Sequence, residues 1–475
     1  MPLKTNRPLA AVVTSTYSHV RHILRHGVIR GLTVSVLTIG AAACSGLLDV
    51  SDPTLVQDSD IANAAGANAR RLDAAVWFAV DIPNLIDNVA LFTDERMIDE
   101  PQMFTNVSAN EYLDRRDGQG FEDMYSYANT SNDPYLGGWD DIITRTSIAI
   151  EALRAYAPDS LRGDYLAQMY TERAYAILQM AEDVCPGFPI NDVANNLPIY
   201  GSPLTTDSAI KFAIAEADSA LKYVKDTLST KYMAQVVKGR ALLDLGQYVS
   251  AATAVDGVPS TFTFLNDGIR AAVNGESGSN NFYYQHYYWS DFNEQEAVGE
   301  REGGNGIPFV SAHDPRVPTE FGGMRYSVPT DSLFDQDKYT SNQTAIVLSS
   351  GLEAQLIQAE AALNAGDPSW FTTLNTLRAT MVTPAMAPIP TMPAATADQV
   401  DLLYQERAFW LYLTGRRLGD MRRLIRNYGR DPETVFPTGD YPIQGAKYGK
   451  ATAIPFIKAA EAQFNPKITT GCTTR

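Results

Sequence analysis

Histidine and cysteine are scarce in this chain of 475 residues, which has five histidines and three cysteines. Only His286 and His313 lie beyond residue 43, and two isolated histidines cannot supply the base of a catalytic triad. The sequence also lacks a His-Glu-x-x-His metal motif, a Gly-x-Ser-x-Gly turn and a phosphate-binding Gly-Lys-Ser/Thr loop. We therefore predict that the protein is not an enzyme and that it uses no cofactor and no metal ion.

Acidic residues are absent from residues 1–43, which contain five basic residues and an apolar run over residues 31–43. The run is too short to span a bilayer comfortably, and a basic region, a short apolar core and three alanines before Cys44 predict a signal peptide. A cysteine at that point resembles the lipobox of bacterial lipoproteins, in which Cys44 becomes the lipidated first residue. Residues 44–62 would then form a lipidated tether. The alternative is an ordinary signal peptide followed by a coincidental cysteine.

Positive charge is in short supply after the leader. The whole sequence has 38 Lys and Arg against 55 Asp and Glu, and removing the five basic residues of the leader leaves 33 against 55, a net charge of about −22. Such an acidic surface repels polyanions, so we expect no binding to nucleic acid. Six arginines are attributed to the end of one helix, where they favour the helix dipole and pair with local acids. They are Arg416, Arg417, Arg422, Arg423, Arg426 and Arg430.

Small residues recur seven positions apart in four apolar segments, and seven helical steps return a side chain to almost the same face. A neighbouring helix can approach closely along such a line, so each segment is predicted to be a tightly packed helix in a stack. The second small residue, Gly246 or Gly366, is expected to cap the helix in two segments and let the chain reverse. The unit is similar to a degenerate tetratricopeptide repeat. The pairs are Ala174 and Ala181, Gly239 and Gly246, Ala359 and Gly366, and Ala408 and Gly415.

These patterns predict a mainly α fold of degenerate tetratricopeptide-like helical repeats, with few short strands and a long, loop-rich, aromatic insertion. Residues 63–256 and 346–475 are the helical parts, and residues 257–345 are the insertion, which is too long for a simple connection. Residues 85–99 are read as a second helix or as an irregular helix end. Helices are also expected over residues 63–80, 134–156, 165–183, 208–225, 351–364 and 370–379, and across the last small-residue pair within residues 398–430.

Residues 282–292 form the densest aromatic segment of the chain. Flat aromatic rings stack on the apolar faces of sugars, while Asn, Gln, Asp and Arg bind sugar hydroxyls. We therefore predict a ligand-binding platform in this segment. The alternative is that the aromatic side chains seal the insertion onto the helical scaffold. The candidate ligand-binding residues are Tyr283, Tyr284, Tyr287, Tyr288, Trp289, Asp291 and Asn293.

Three charged residues near the C-terminus, Glu406, Arg417 and Asp420, are predicted to form a buried ion-pair network that fixes the last repeat. Their role is then structural. Adjacent acids such as Asp94 and Glu95 are interpreted as surface or capping charges, because neighbours on a helix do not face each other.

The two cysteines that follow Cys44 lie far apart in the sequence. In an oxidising compartment, Cys185 and Cys472 could form one disulfide that ties the C-terminus to the loop around residues 184–186. Two unpaired cysteines are the alternative, and the sequence leaves both open.

Several short motifs, taken in their order, resemble the SusD/RagB family over nearly the whole chain after residue 43. Asp314-Pro315-Arg316 matches a turn that is common in that family. The resemblance implies a lipid-anchored protein of the cell outer membrane surface that captures a nutrient, usually a glycan, and passes it to a SusC-like TonB-dependent transporter. The motifs are Cys44 with residues 47–50, Trp139 with residues 140–153, residues 356–367, Glu406 and Arg407 with Gly415, Arg417, Asp420 and Arg423, and the pairs Ile454-Pro455 and Asn465-Pro466.

Two other functions remain open at this stage. An acidic helical-repeat scaffold could bind peptides or proteins instead of a glycan. A secreted glycosidase could use paired acids such as Asp94 and Glu95. Binding to a panel of oligosaccharides and peptides separates the first function from the second, and hydrolysis would favour the third.

Overall fold

Short strands separate a long series of helices in the computed structural model. It describes residues 61–99, 109–120, 136–195, 197–266, 295–298, 306–324, 332–341, 344–441 and 446–473. The helices are α1 (Ala64–Phe92), α2 (Ala109–Asp114), α3 (Leu136–Tyr156), α4 (Asp159–Asp183), α5 (Thr206–Tyr223), α6 (Leu228–Asp244), α7 (Tyr248–Ala254), α8 (Gly351–Asn364), α9 (Ser369–Thr380), α10 (Thr396–Trp410), α11 (Arg417–Tyr428), α12 (Pro432–Val435) and α13 (Lys458–Phe464). The strands are β1 (Arg96–Asp99), β2 (Asp192–Ala194), β3 (Leu197–Ile199), β4 (Thr263–Leu265), β5 (Gln295–Val298), β6 (Thr319–Met324), β7 (Ser332–Gln336) and β8 (Val347–Ser350). The mainly α prediction with few short strands is confirmed.

The first helix is the longest of those described. The side chain of Asn63 caps α1 by accepting hydrogen bonds from the N–H groups of Ala65 and Gly66. By length and composition α1 could cross a bilayer, but its most apolar window is 71% buried inside the fold, so it serves here as a core helix. The sequence predicted a break near residue 80 and helix or irregular structure up to residue 99. The helix instead runs through Pro83 to Phe92 and is followed by β1.

Four consecutive helix pairs carry the four pairs of small residues that the sequence singled out. The pairs are α4 with α5, α6 with α7, α8 with α9, and α10 with α11, and their first small residues lie on α4, α6, α8 and α10. Ala174, Ala181, Ala359 and Ala408 are buried. A Cβ atom at Gly239 would lie 2.5 Å from Val255 Cγ1, so α6 and the end of α7 approach too closely for any side chain. The prediction of tightly packed helical repeats is confirmed.

Two glycines end their helices in the way that the sequence predicted. Gly246 has φ 68° and Gly366 has φ 71°, a conformation that glycine adopts without steric cost. The N–H groups of Gly246 and Gln247 donate to the carbonyls of Leu243 and Leu242, which is the hydrogen-bond pattern of a Schellman motif. The end of α8 repeats this pattern. Both turns reverse the chain within a few residues.

The prediction of one helix across Ala408 and Gly415 is wrong. Helix α10 ends at Trp410, a loop over residues 411–416 follows, and α11 begins at Arg417. Leu413 has φ 52° and Gly415 has φ 77°, so the backbone of the loop is not helical. Gly415 still faces a close neighbour, since a Cβ atom there would lie 3.0 Å from Ile86 Cγ1 of α1.

The described strands form four two-stranded antiparallel sheets: β1 with β5, β2 with β3, β4 with β8, and β6 with β7. The pairs β1 with β5 and β4 with β8 join distant parts of the chain. Arg96 of β1 is opposite Val298 of β5, and Thr263 of β4 is opposite Ser350 of β8. Two strands of the predicted insertion, β5 and β4, therefore pair with strands that directly follow α1 and directly precede α8, while β6 and β7 pair with each other. The domain boundaries themselves stay predictions.

Helix boundaries read from the sequence agree best where a cap is present. Thr205 accepts a hydrogen bond from Ser208 N–H at the start of α5, as expected for the predicted N-cap. The span of α8, Gly351–Asn364, equals the predicted one, and the side chain of Ser350 caps it by accepting from Glu353 N–H. Capped helices are therefore the ones whose ends a sequence shows most clearly.

Candidate functional site

The predicted ligand-binding and lipidation residues lie outside the described residues. This holds for Cys44, for the leader and for the aromatic segment of residues 282–292. The roles of Tyr283, Tyr284, Tyr287, Tyr288, Trp289, Asp291 and Asn293 therefore stay predictions. The described site begins with the charged residues of the last helix pair.

Asp420 lies on α11 between two arginines. Arg407 Nε and Nη2 each donate to the Asp420 carboxylate at 2.8 Å, and Arg423 Nη2 donates to it at 2.7 Å. Burial opposes the charge on Asp420, but the two arginines outweigh burial and lower its pKa to about 2. Asp420 is thus ionised at any physiological pH and serves as a fixed anion between α10 and α11.

Besides Asp420, Arg423 of α11 binds acidic residues on two other helices. Its Nε donates to Glu360 of α8 at 2.9 Å, and its Nη1 donates to Asp244 of α6 at 2.9 Å. All of these side chains are at most 5% exposed. One guanidinium therefore connects the first helices of two repeats to the last helix pair.

The other two predicted members of the network have different partners. Glu406 binds Arg316 at 2.6 Å and Arg378 at 2.7 Å, whereas Arg417 binds Asp94 at 2.6 Å. The three residues that the sequence grouped are all buried and all ion-paired, but each has its hydrogen-bonded partner outside the group. They belong to three neighbouring ion-pair groups.

Arg316 belongs to the Asp314-Pro315-Arg316 turn. Its backbone N–H and its guanidinium bind Asp314, and the guanidinium also lies over the rings of Phe409 and Trp410, 5.0 and 4.7 Å from their centroids. The turn is therefore fixed against the end of α10.

Asp94 and Glu95, interpreted from the sequence as surface charges, are buried, and that interpretation is wrong. Asp94 is 0% and Glu95 1% exposed. Both lie in the turn between α1 and β1, so the helical rule used to separate them does not apply. Asp94 accepts from Arg417 and from Ile307 N–H, and Glu95 accepts from Leu413 N–H at 2.8 Å.

Glu95 and Lys338 bind adjacent parts of the loop over residues 411–416. Lys338 Nζ donates to the carbonyl of Tyr412, next to the Leu413 N–H that binds Glu95. Burial raises the pKa of Glu95 to about 8, against the smaller opposing effects of the Leu413 hydrogen bond and of Arg417 and Lys338. Burial lowers the pKa of Lys338 to about 8, against attraction by Glu95. Buried side chains thus hold a loop whose backbone is not helical.

Another layer of buried charge lies between α11 and the helices of the earlier repeats. Arg416 donates to Glu353 of α8 at 2.9 Å, and Arg240 of α6 lies 2.7 Å from Glu182 of α4. Arg422 donates to the carbonyls of Ala181, Glu182 and Val184 at the end of α4. The arginine-rich segment is therefore the polar core of the last repeat. Arg416 and Arg417 lie at the start of α11, so placing the arginines at one helix end was wrong.

A disulfide links Cys185, which follows α4, to Cys472 near the C-terminus, across 287 residues of sequence. The same tail forms a parallel bridge between Val184 and Ile454, and Cys185 N–H donates to the Ile454 carbonyl. The covalent link therefore lies beside the carbonyls that Arg422 binds.

A cleft of about 500 Å³ lies between α10, α11 and α12, and Arg417 is one of its lining residues. Its wall on α10 presents residues at helical spacing, and Arg417 and Leu424, two turns apart on α11, lie on another side. Sequence reasoning missed this cleft, because it assumed one helix where α10 and α11 are separate. The lining residues are Ile307, Asp398, Asp401, Leu402, Tyr404, Gln405, Arg417, Leu424, Arg430, Thr434 and Val435.

Asp420, Glu406 and Asp94 each bind arginine at hydrogen-bond distance. Their arrangement fixes where α10, α11 and the Asp314-Pro315-Arg316 turn lie. These buried ion pairs therefore position the residues that line the cleft, including Ile307, whose N–H binds Asp94.

Comparisons with known proteins place the fold. No family model matches the sequence, and no curated protein matches it. Solved structures do match this chain. In the three described below, the matched region covers nearly the whole of the other protein's chain. A SusD superfamily protein from Bacteroides thetaiotaomicron has a TM-score of 0.59 at 12% identity, with 87% of this chain and 100% of that chain covered.

Two further structures show the same likeness. The surface glycan-binding protein A from Bacteroides uniformis has a TM-score of 0.55 at 14% identity, with 85% of this chain and 99% of that chain covered. A SusD superfamily protein from Bacteroides vulgatus has a TM-score of 0.55 at 13% identity, with coverage of 85% and 98%. The resemblance stated from the sequence is confirmed at the level of the fold: this chain has the fold of the SusD superfamily.

Proposed function

We propose that this protein is a surface lipoprotein of the outer membrane that captures a glycan and passes it to a SusC-like TonB-dependent transporter. The observation that carries the proposal is the match of one fold over 85–87% of this chain to structures that include a surface glycan-binding protein. Such a protein binds its ligand and does not transform it, in keeping with the scarcity of histidine. Fold alone does not assign a ligand, so the proposal needs its own test.

The aromatic segment of residues 282–292 supplies the chemistry for this function. Its tyrosines and tryptophan offer flat faces for sugar rings, and the interleaved polar residues offer partners for hydroxyls. Pairing of β5 with β1 and of β4 with β8 anchors described parts on both sides of this segment to the helical body. The ligand would therefore be held on a scaffold whose position is set by α1 and α8.

Binding of neutral oligosaccharides, measured by isothermal titration calorimetry on the chain from Ser45 onwards, tests capture. We expect binding that weakens roughly tenfold in Trp289→Ala and in Tyr288→Ala, because each loses one stacking surface. Phe212→Ala on α5 is the matched control, since Phe212 is 50% exposed and lies far from the segment in sequence. A protein that binds peptides but no saccharide would overturn the proposal in favour of a peptide-binding scaffold, and saccharide hydrolysis would overturn it in favour of a glycosidase.

Attachment and transfer have separate tests. With the complete leader, Cys44→Ser should move the protein from the membrane fraction to the soluble fraction, because it removes the lipid-bearing sulfur. Unchanged fractionation would contradict the anchor. Purification from the native membrane should bring down a large β-barrel transporter in wild type, and a protein recovered without one would contradict the partnership.

A further inference from the structure

The cleft between α10, α11 and α12 has no role in the proposed capture by the aromatic segment. We propose that it binds a neutral, hydroxyl-rich ligand, a mono- or disaccharide unit, as a saccharide site separate from that segment. The inference rests on the proposed function only in its choice of glycan as the ligand class. A volume of about 500 Å³ lies within the range of about 300–1,000 Å³ that small-molecule sites occupy.

Residues that line this cleft carry hydrogen-bonding groups without a partner among the described residues. Arg417 is 5% exposed and gives Nε and Nη2 to Asp94, while its Nη1 has no hydrogen-bond partner among the described residues. The carboxylate of Asp398 and the amide of Gln405 likewise have none in the described parts of the chain. Arg430 uses Nη2 for Asp401 and Ala397, and no contact of its Nε or Nη1 is seen within the same residues. Donors and acceptors therefore both remain for a ligand.

The side chains that line the cleft carry both charges in equal number, with Asp398 and Asp401 opposite in sign to Arg417 and Arg430. Asp94 does not line the cleft and pairs with Arg417. A phosphate or a carboxylate would meet two aspartates at the rim, and a cation would meet two arginines. A neutral ligand with many hydroxyls meets no such opposition, and hydroxyls can both donate to carboxylates and accept from guanidinium groups.

Aliphatic side chains supply the remaining surface. Leu402 and Ile307 are half-buried, and Leu424 and Val435 are buried beneath them. Apolar walls with a few convergent polar groups are the usual composition of a small-molecule site. The C–H faces of a sugar ring fit such walls, although the one aromatic lining residue, Tyr404, is 2% exposed and offers no stacking face. We therefore expect a weak site that recognises hydroxyl geometry.

Titration calorimetry and saturation-transfer NMR with glucose, maltose and cellobiose test this site on the chain from Ser45 onwards. Asp398→Ala should weaken saccharide binding at the cleft roughly tenfold or more, and Gln405→Ala roughly threefold to tenfold, because charged and neutral hydrogen bonds are lost respectively. Both residues are exposed, so unfolding temperatures should stay within about 2 °C of wild type, as for surface substitutions in general. Asp256→Ala, at an exposed carboxylate after α7, is the matched control and should leave binding unchanged.

Asp398→Asn distinguishes a neutral ligand from a cationic one. The amide keeps an acceptor oxygen, so a saccharide should bind within about threefold of wild type, as expected when a hydrogen bond is conserved. Binding should also change less than about twofold between 0.05 and 0.5 M NaCl, since no ligand charge is screened. Strong loss in Asp398→Asn together with binding of dipeptides would overturn the inference.

The failures of the two proposals are distinguishable. If saccharides bind and only Trp289→Ala and Tyr288→Ala weaken them, while the Asp398 and Gln405 variants match wild type, the proposed function stands and the cleft site is overturned. If no saccharide binds wild type at all, the proposed function is overturned and the cleft site falls with it. If the Asp398 and Gln405 variants weaken saccharide binding while the Trp289 and Tyr288 variants do not, the cleft is supported as a separate site.

Discussion

Helix α4 contacts two helices of opposite character. On one side it packs against α5, whose buried residues are mainly alanines: Ala209, Ala213, Ala217 and Ala220 are all fully buried. It also contacts α11, whose buried residues include Arg417, Asp420, Arg422 and Arg423. Burial on the α5 side comes largely from methyl groups, although Arg173 of α4 also lies 3.4 Å from Glu216 of α5. Burial on the α11 side comes from charged as well as apolar side chains.

The difference shows what each kind of interface contributes. Alanine side chains allow two helices to approach closely, and their burial stabilises the contact. Because one alanine is the same as the next, they fix the register of the two helices weakly. Hydrogen bonds between arginine and carboxylate depend on direction more strongly than alanine contacts do. A shift of α11 by one residue would therefore leave buried charges without partners. We infer that the contact of α4 with α5 depends mainly on packing. Directional bonds hold the last helix pair in one position, and the Arg240–Glu182 pair adds one such bond between α6 and α4.

Arg423→Ala should break the polar interface with the largest effect. Glu360, Asp420 and Asp244 would lose their shared cation while remaining buried, and removing one partner of a buried ion pair costs about 3–5 kcal/mol. Urea unfolding measures the loss. Arg423→Lys should recover only part of it, because an ammonium cannot reproduce the forked contacts of the guanidinium. A loss below about 1 kcal/mol would show that the pairs contribute no more than surface ones.

Glu95→Gln should change how stability depends on pH. A carboxyl whose folded-state pKa is about 8, raised from its usual 4.5, holds its proton more tightly when folded, so it makes stability fall as pH rises between these values. Lys338, with its pKa lowered from 10.5 to about 8, acts oppositely, so its contribution rises with pH above about 8. Lys338 is present in both proteins, so the variant should gain on wild type by about 3–4 kcal/mol between pH 5 and pH 8.

Urea unfolding of wild type and Glu95→Gln at several pH values between about 5 and 8 makes this measurement. Glu172 of α4 is the matched comparison, because burial also raises its pKa to about 8, yet its side chain accepts from Gln168 of its own helix. Glu172→Gln should show a pH dependence of the same sign without affecting the loop over residues 411–416. Parallel stability curves for wild type and Glu95→Gln would contradict the pKa assignment.

The packed half of the molecule could be predicted from the sequence because its signals are local. Small residues at helical spacing, Thr205 before α5 and the two glycines that end α6 and α8 each act within a few residues of where they are read. These predictions were confirmed, except for the helix predicted across Ala408 and Gly415.

The polar half could not be predicted in the same way. Asp94 reaches Arg417, and Glu95 reaches Leu413, across more than 300 residues of sequence, and nothing near Asp94 indicates these partners. Glu406, Arg417 and Asp420 are buried and ion-paired, but the sequence could not assign the partners Arg316, Asp94 and Arg407. The cleft depends on the break after Trp410, and helical periodicity across residues 408–415 concealed that break.

Gly239→Ala tests the close contact of α6 with α7 and α8 by adding a methyl group to it. The added methyl would lie 2.5 Å from Val255 Cγ1 and 3.4 Å from Ile357 Cδ1, so α7 or α8 must shift. Overpacking costs about 1–3 kcal/mol, and the better helix propensity of alanine offsets up to about 1 kcal/mol of it. Adding Val255→Ala should restore part of the loss in a double-mutant cycle followed by thermal unfolding. A single variant more stable than wild type would show that the close approach is not rigid.

Arg426→Ala should have the smallest effect, although Arg426 lies only three residues after Arg423 on the same helix. It pairs with Asp207 of α5, but the two side chains are 31% and 56% exposed, so water already solvates both charges. Exposed pairs contribute about 0–1 kcal/mol, and this contribution should shrink further in high salt. Urea unfolding of Arg426→Ala beside Arg423→Ala therefore separates burial from charge. Equal losses would mean that helix α11 needs its net positive charge, whereas a large loss for Arg423 alone would mean that it needs the buried contacts.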